Sequence, residues 1–169
     1  MLIKVEDRFQ DAIMQYRKDS LKDGQKIVCG SSDLQNYTSY QEWKVWVDCH
    51  EQEATLPEGR VCALQYLYVE EDQLIGMVNI RLYLNEYLKQ YGGHIGYSIA
   101  PTQRGKGYGK KMLQEACRKC KELNIHDILL VADKKNMASI RTILACGGSF
   151  ENEVMEGNQT LRRYLIHVS

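Results

Sequence analysis

The chain has only two prolines among 169 residues, no excess of charge of either sign and no long apolar run. Its 22 basic and 22 acidic residues give a formal net charge of zero, which argues against a general nucleic-acid binder because such proteins are usually basic. No hydrophobic stretch approaches the length that crosses a bilayer. The first residues lead into charge rather than into a signal core. We therefore expect a cytoplasmic protein with no nucleic-acid or membrane partner.

The sequence also lacks internal repeats, low-complexity tracts and linkers rich in proline or serine. A chain of 19.5 kDa can bury a sizeable core, so we predict a single domain over residues 1–169. Without an export signal, the six cysteines are expected to be reduced thiols. Cys117 and Cys120 have the spacing of a metal or redox pair, but they fall inside a predicted helix and no second pair follows. We predict that they are structural and that the protein holds no metal.

Hydrophobic periodicity predicts an α/β (α+β) domain with a mixed sheet. We expect helices at residues 5–18, 40–51, 107–123 and 136–146, and a short helix at 85–91. We expect strands at residues 61–69, 74–82, 93–100, 127–132, 149–156 and 160–168, with an additional strand possible at 25–29.

The segment Arg104-Gly105-Lys106-Gly107-Tyr108-Gly109 carries the strongest functional signal. It follows the predicted strand at 93–100 and opens an amphipathic helix. Such a turn gathers main-chain N–H groups, and the first helical turn adds the positive end of the helix dipole. The segment therefore predicts a site for a phosphate-bearing cofactor, and a tight strand–helix connection without a ligand is the alternative.

Two common phosphate sites do not fit this segment. A dinucleotide-binding fold carries its glycines on the first strand–helix turn, whereas here antiparallel strands are predicted to come first. A Walker loop ends in Gly-Lys-Ser/Thr, and Gly109-Lys110-Lys111 lacks the hydroxyl. The surroundings of the turn must therefore identify the cofactor.

Pro101-x-x-Arg104-Gly105-Lys106-Gly107-Tyr108-Gly109, followed by Asn136-x-x-Ser139, resembles the GCN5-related N-acetyltransferase (GNAT) superfamily. Within it, the run Gly92–Tyr97 and Cys146-Gly147-Gly148 look like a group of bacterial predicted acetyltransferases. The resemblance implies a mostly antiparallel sheet of about six or seven strands flanked by about four helices. It also implies acetyl-CoA as co-substrate and a primary amine of a small molecule or amino acid-like compound as acceptor. A non-catalytic acyl-CoA-binding module and a protein-modifying acetyltransferase stay open, as do a monomer and a homodimer.

The resemblance also implies the cofactor site. Main-chain N–H groups of the turn would bind the CoA pyrophosphate, the preceding strand would pair with the pantetheine arm, and the asparagine would contact that arm. By motif, these residues are Arg104, Gly105, Lys106, Gly107, Tyr108, Gly109 and Lys110 for the turn, Tyr97, Ser98 and Ile99 for the strand, and Asn136 with Ser139 for the arm. The alternate residues Gly96, Ser98 and Ala100 are small, which predicts that a cofactor lies close to that face of the strand.

Acetyl transfer requires a neutral amine, whereas an alkyl amine with a pKa of about 10.4 is protonated at neutral pH. The family often places a base near the start of the cofactor strand, where His94 stands, with Glu86 shortly before it. Asn79 and Arg81 on the adjacent strand are candidates for contacting the substrate. A structural histidine and a surface salt bridge of Arg81 are the alternatives.

The sequence departs from the family pattern at one catalytic position. Many members have a tyrosine that acts as general acid seven residues after the asparagine, and this chain has Ile143 there. A thiol with a pKa of about 8.5 is already a fair leaving group, so the change does not exclude activity. Tyr164 or Tyr108 are the candidate substitutes, and core packing is the alternative for Tyr164.

Overall fold

A computed structural model describes residues 1–169. The chain forms seven strands and five α-helices. The strands are β1 Leu2–Lys4, β2 Ala63–Glu70, β3 Gln73–Arg81, β4 Ile95–Ile99, β5 Asp127–Asp133, β6 Ser149–Glu156 and β7 Gln159–His167. The helices are α1 Gln10–Lys22, α2 Tyr40–Cys49, α3 Glu86–Tyr91, α4 Tyr108–Glu122 and α5 Met137–Ala145. The predicted α/β class and strand number are confirmed, and the five helices agree with the five expected from periodicity, one more than the family resemblance implied.

Strands pair in two antiparallel sheets, ordered β1-β2-β3-β4 and β5-β7-β6. A single bridge between Gly93 and Leu130 connects them, and the His94 N–H donates to the Leu129 carbonyl at 2.8 Å beside it. Beyond this point β4 and β5 form no ladder with each other. The two sheets are therefore joined only beside the start of β4, and we call the gap between the rest of β4 and β5 the wedge.

Helices cover both faces of the first sheet. One core packs α4 and α5 against the strands around Met112, Leu113 and Ile140, each at most 2% exposed. The other packs α1 and α2 against the opposite face around Ile13 and Trp43, both fully buried. The apolar stripe predicted for α4 is thus buried as expected, and Cys117 and Cys120 lie in the same core with thiol pKa values raised to about 12 by burial.

Two predictions at the amino-terminal half were wrong. The helix expected at 5–18 runs from Gln10 to Lys22, because Asp7–Phe9 form a separate 3-10 turn. Residues 2–4, for which no strand was expected, form β1, in which Leu2 pairs with Tyr68 of β2. Residues 25–29 form no strand. They belong to the connection between α1 and α2, which presses onto β4. None of the five helices has both the length and the hydrophobicity that a membrane span requires.

Candidate active site

Helix α4 begins with glycines that leave its first N–H groups without partners. Gly105 and Gly107 have φ angles of +76° and +80°, a left-handed conformation that glycine adopts without a Cβ penalty. Gly107 precedes the helix and no side chain caps it. By contrast, side chains of Ser39, Asn85 and Asn136 cap the starts of α2, α3 and α5. The amides of the first turn of α4 are thus available to an anion.

Gly109 provides a test of whether these glycines only shape the turn. It lies inside α4, its φ angle is not in the left-handed region, and a Cβ there would meet nothing closer than Thr142 Oγ1 at 3.5 Å. Neither the backbone nor the neighbouring side chains require glycine, although glycine costs a helix about 1 kcal/mol relative to alanine. A tight connection explains Gly105 and Gly107 but not Gly109. The bare helix start fits the close approach of a pyrophosphate.

Strand β4 leaves one edge free. The Arg81 N–H donates to the His94 carbonyl and the Ala100 N–H donates to the Ile75 carbonyl, both at 2.8 Å. In an antiparallel pair such bonds alternate along the strand, so Tyr97 and Ile99 direct their main-chain groups away from β3. No strand pairs with this edge. It therefore offers unpaired donors and acceptors to an extended molecule in the wedge.

The small-residue face of β4 is covered by the protein itself. A Cβ at Gly30 would lie 2.5 Å from the Gly96 carbonyl oxygen, so the connection between α1 and α2 touches the strand backbone. Ser98 Oγ donates to the Cys29 carbonyl at 2.6 Å and bonds Tyr16 Oη at 2.9 Å. The prediction that a cofactor lies against this face was wrong, because the small residues make room for residues 29 and 30. The accessible part of β4 is its edge.

The Tyr97 side chain reaches the start of α5. Its hydroxyl bonds Ser139 Oγ at 2.9 Å, and Asn136 Oδ1 accepts the Ser139 N–H at 3.1 Å as helix cap. Burial raises the pKa of Tyr97 to about 12, so the phenol stays protonated at neutral pH. Residues four apart share one face of a helix, which places the Tyr97–Ser139 contact one turn from buried Ile143. The motif predicted a role only for the main chain of Tyr97, and nothing in the sequence pattern pointed to this hydroxyl contact.

His94 fastens β4 to β5 with both its backbone and its ring. The Leu129 N–H donates to His94 Nδ1 at 3.0 Å. Burial, followed by the nearby Arg81 charge, lowers the pKa of His94. A neutral ring that accepts at Nδ1 carries its proton on Nε2. His94 is thus arranged as a hydrogen-bond donor, and acting as a base through Nε2 would require loss of the Leu129 bond.

The other two catalytic candidates lie apart from the wedge. The Glu86 side chain is 91% exposed at the start of α3 and pairs with Lys89 at 2.9 Å. Tyr164 of β7 is 2% exposed in the main core, with its ring 5.8 Å from that of Phe150. The structure therefore places Glu86 on a solvated helix face and Tyr164 in packing. Neither position fits the predicted proton transfer, because a base or acid must reach the reacting group.

Asn79 belongs to a buried network rather than to an open surface. Gln65 is 1% exposed and its Nε2 donates to the Gly30 carbonyl at 2.7 Å. Ser32 Oγ donates to Gln65 Oε1 at 2.7 Å, and Asn79 Nδ2 donates to Ser32 Oγ at 3.2 Å. This network fixes the connection between α1 and α2, and it does not fit the predicted substrate contact for Asn79. A polar glutamine within an apolar strand was the sequence signal for it.

Arg81 lies at the end of β3 beside this network. Its Nη1 donates to the Gly92 and Gly93 carbonyls at 3.2 and 3.1 Å. Burial lowers the pKa of its guanidinium. It forms no ion pair within 4.0 Å, so the surface salt bridge considered from the sequence does not form.

The cationic side chains near the start of α4 are exposed. Arg104 pairs with Asp23 at 2.7 Å, which links the turn to the end of α1. Lys106 Nζ donates to Gln103 at 2.9 Å, and Lys110 makes no ion pair. The Tyr108 ring lies 6.4 Å from that of Tyr68. The turn thus carries positive charge around its uncapped amides, while Tyr108 serves packing.

The wedge, rather than a deep pocket, unites the predicted cofactor residues. A polar depression of 380 Å³ lies near the end of β5 and the β6–β7 turn, with Asp133, Lys135 and Gln159 among its lining residues. It adjoins Asn136 in sequence but contains none of the predicted site residues. A long, thin ligand along β4 would not require such a cavity.

A divided sheet with one free strand edge beside an uncapped, glycine-started helix has the arrangement expected of an acetyltransferase. The sequence matches the model of the acetyltransferase (GNAT) family over residues 30–147. The chain belongs to this family, and its enzyme class is acyltransferase. No curated protein matches it in sequence.

Solved structures support the fold. The spermidine N-acetyltransferase from Vibrio cholerae, in complex with CoA and spermine, shares 19% identity at a TM-score of 0.68, covering 99% of this chain and 94% of that one. The ribosomal L7/L12 alpha-N-protein acetyltransferase RimL, in complex with coenzyme A, shares 16% identity at a TM-score of 0.73, covering 99% of this chain and 93% of that one. An acetyltransferase from Salmonella typhimurium that modifies the N-terminal serine of ribosomal protein L7/L12 shares 16% identity at a TM-score of 0.70, covering 99% of this chain and 94% of that one.

Proposed function

We propose that the protein transfers an acetyl group from acetyl-CoA to a primary amine of a small molecule or amino acid-like acceptor. The observation that carries this proposal is the free edge of β4 leading to the uncapped start of α4. Two different main-chain features, an unpaired strand edge and a set of unpaired amides, follow one another along the wedge. A molecule with an amide-containing arm and a pyrophosphate matches both features.

Main-chain groups and charged side chains would both contribute to binding acetyl-CoA. Tyr97 and Ile99 would bond the pantetheine amides through main-chain groups, and the amides of Gly107, Gly109 and Lys110 would bind the pyrophosphate. Exposed Lys106 and Lys110 add positive charge near those phosphates. Asn136 already uses its oxygen to cap α5, so its amide nitrogen is the part left to contact the arm.

The reaction is direct attack. The amine nitrogen forms a bond to the thioester carbonyl carbon, the carbon–sulfur bond breaks, and the electron pair leaves on the CoA sulfur. The amine loses one proton, which we assign to water because Nδ1 of His94 is already an acceptor. His94 would instead donate from Nε2 to the acceptor or to that water.

Tyr97 is our candidate for the acid that protonates the departing thiolate. Its phenol is protonated at neutral pH, and it meets Ser139 on the helix face where the family's tyrosine would stand one turn later. Its backbone lies on the strand edge that would hold the arm. The acid would thus come from β4 rather than from α5.

A non-catalytic acyl-CoA-binding module is the second candidate, and buried Ile143 favours it because no hydroxyl occupies that position. An assay that mixes the protein with acetyl-CoA and a panel of amines, and measures thiol release, distinguishes the enzyme from the binding module. Thiol release that depends on the amine supports the enzyme. CoA binding by calorimetry without turnover across the panel supports the module, and absence of CoA binding contradicts both.

A protein-modifying acetyltransferase is the third candidate, since two structural neighbours acetylate a ribosomal protein. The connection between α1 and α2 lies directly on β4, which narrows the approach to the strand and favours a small acceptor. Peptides ending in a free amine belong in the same panel. Preference for peptides over every small amine would contradict the small-molecule assignment.

A further inference from the structure

Arg81 is a half-buried cation without a carboxylate partner. Its only hydrogen bonds join Nη1 to two main-chain carbonyls after α3, those of Gly92 and Gly93. Nη2 and Nε have no partner in the protein, yet they are not among the fully enclosed unpaired atoms, which are Ser20 Oγ and Arg163 Nε. These two donors therefore face accessible space.

The surrounding groups do not neutralise this charge. The acidic side chain among them, Asp33, already pairs with Arg60 at 3.1 Å and accepts from Trp46 Nε1 at 3.3 Å. Burial raises the pKa of the Cys29 thiol, and a hydrogen bond to Glu156 raises that of Tyr87, so both are neutral. The guanidinium is partly removed from water and lacks a counter-ion, so an anion bound here would be favoured.

The free end of Arg81 lies beside Gly96, on the face of β4 that the connection between α1 and α2 covers. A Cβ at Gly96 would lie 3.3 Å from Arg81 Nη2 and 3.2 Å from the Gly30 nitrogen. The guanidinium thus lies between the strand and the connection that covers it. The donor side, at the free edge and the start of α4, is elsewhere along the same strand.

We propose that the acceptor carries a carboxylate that Arg81 binds through Nη2 and Nε, which makes it an amino acid-like acid rather than a polyamine. This assignment rests on the proposed acetyltransferase function. The planar guanidinium matches a carboxylate with two parallel hydrogen bonds. A polyamine would instead bring positive charge to an unbalanced positive charge. Capping of α3 explains Nη1 but leaves the other two donors unused.

The test compares acceptors that differ only in the carboxylate. A set of amino acids, their amides and the corresponding decarboxylated amines is assayed with acetyl-CoA, together with spermidine. We expect kcat/KM to be about 10–100-fold higher for the acids, the range of a charge-assisted hydrogen-bonded pair. Arg81→Gln should abolish this ratio mainly through KM, and Arg81→Lys should restore part of it.

Arg163→Gln is the matched control, because Arg163 also donates to a carbonyl of α3, that of Lys89, at 2.8 Å. If Arg81 only stabilised α3, the two variants would alter selectivity alike, and that result would overturn the proposal. Equal or better use of amides, amines or spermidine by the wild type would also overturn it while leaving acetyl transfer intact.

A measurement of CoA binding tells a failure of the proposed acetyltransferase function apart from a failure of the carboxylate assignment. Without CoA binding, the proposed function fails and the carboxylate assignment fails with it. If CoA binds but no acceptor reacts, calorimetry of the N-acetylated acids with the CoA-loaded protein decides. Binding that Arg81→Gln removes supports the assignment, and absence of binding contradicts it.

Discussion

The two sides of β4 are built in opposite ways. On the edge side, Tyr97, Ile99 and the first turn of α4 leave main-chain groups unpaired. On the covered side, Gln65, Ser32 and Ser98 form hydrogen bonds that fix the connection between α1 and α2. The hydrogen-bonding groups on the edge side belong to the backbone, whereas those on the covered side belong to side chains that are distant from one another in sequence. This difference predicts that variants on the two sides should affect donor and acceptor separately.

The largest effect is expected at Gly109, on the edge side. Gly109→Asp places a carboxylate in the first turn of α4, where it should favour the helix by about 0.3–1 kcal/mol through the dipole but repel a pyrophosphate. We expect CoA affinity to fall at least about 100-fold, as for loss of a buried charge-assisted contact, with unchanged or higher unfolding free energy. Calorimetry and urea unfolding measure both, and Gly109→Asn separates charge from size. Unaltered affinity would contradict the CoA site.

Tyr97→Phe tests the edge side next. If the phenol protonates the leaving thiolate, kcat should fall about 10–100-fold, at or below the low end of general-acid effects because a thiolate leaves readily. The KM of the acceptor should change little. Ser139→Ala is the control, since it removes the hydroxyl partner but keeps the phenol. Equal loss in both variants would indicate that the contact only supports α5.

Gln65→Leu tests the covered side. It removes the donor to the Gly30 carbonyl and leaves buried polar groups unsatisfied, which costs about 1–3 kcal/mol of unfolding free energy. We expect a several-fold higher KM for the acceptor with the dissociation constant of CoA unchanged. Chemical unfolding and separate titrations of the two ligands give the comparison. A matching loss of CoA affinity would show that the two sides are not independent.

The smallest effect is expected at His94, which lies just before β4 and hydrogen-bonds Leu129 of β5. Its pKa is lowered in the folded protein, so the unfolded chain, with a pKa of about 6.5, binds the proton more readily. The stability contributed by the neutral ring is present above pH 6.5 and is lost as the pH falls below it. His94→Asn keeps an acceptor for the Leu129 N–H without titrating. Its stability should therefore fall less between pH 7.5 and 5.5, and an identical fall would contradict the lowered pKa of His94.

The same contrast explains what the sequence could predict. The glycines and apolar periods are local patterns, so the turn, α4, β5 and the β6–β7 hairpin were all predicted within a few residues. The roles of Gln65, Arg81 and His94 depend on partners 11 to 35 positions away. Arg81 was predicted only as a candidate for contacting the substrate, and its lack of a carboxylate partner becomes visible only once the positions of the nearby carboxylates are known. Glu86 and Tyr164 were suggested by residue type, which carries no information on exposure.

The division of the sheet has a consequence for the order of folding. All three strands of the second sheet lie within residues 127–167, whereas the first sheet pairs Leu2 with Tyr68 and extends to Ile99. Local pairings form faster than distant ones, so the β2–β3 and β6–β7 hairpins should form before β1 joins the first sheet. The wedge exists only after both sheets have formed and joined at Gly93 and Leu130. In refolding experiments, recovery of CoA binding should therefore lag behind recovery of the far-ultraviolet circular dichroism.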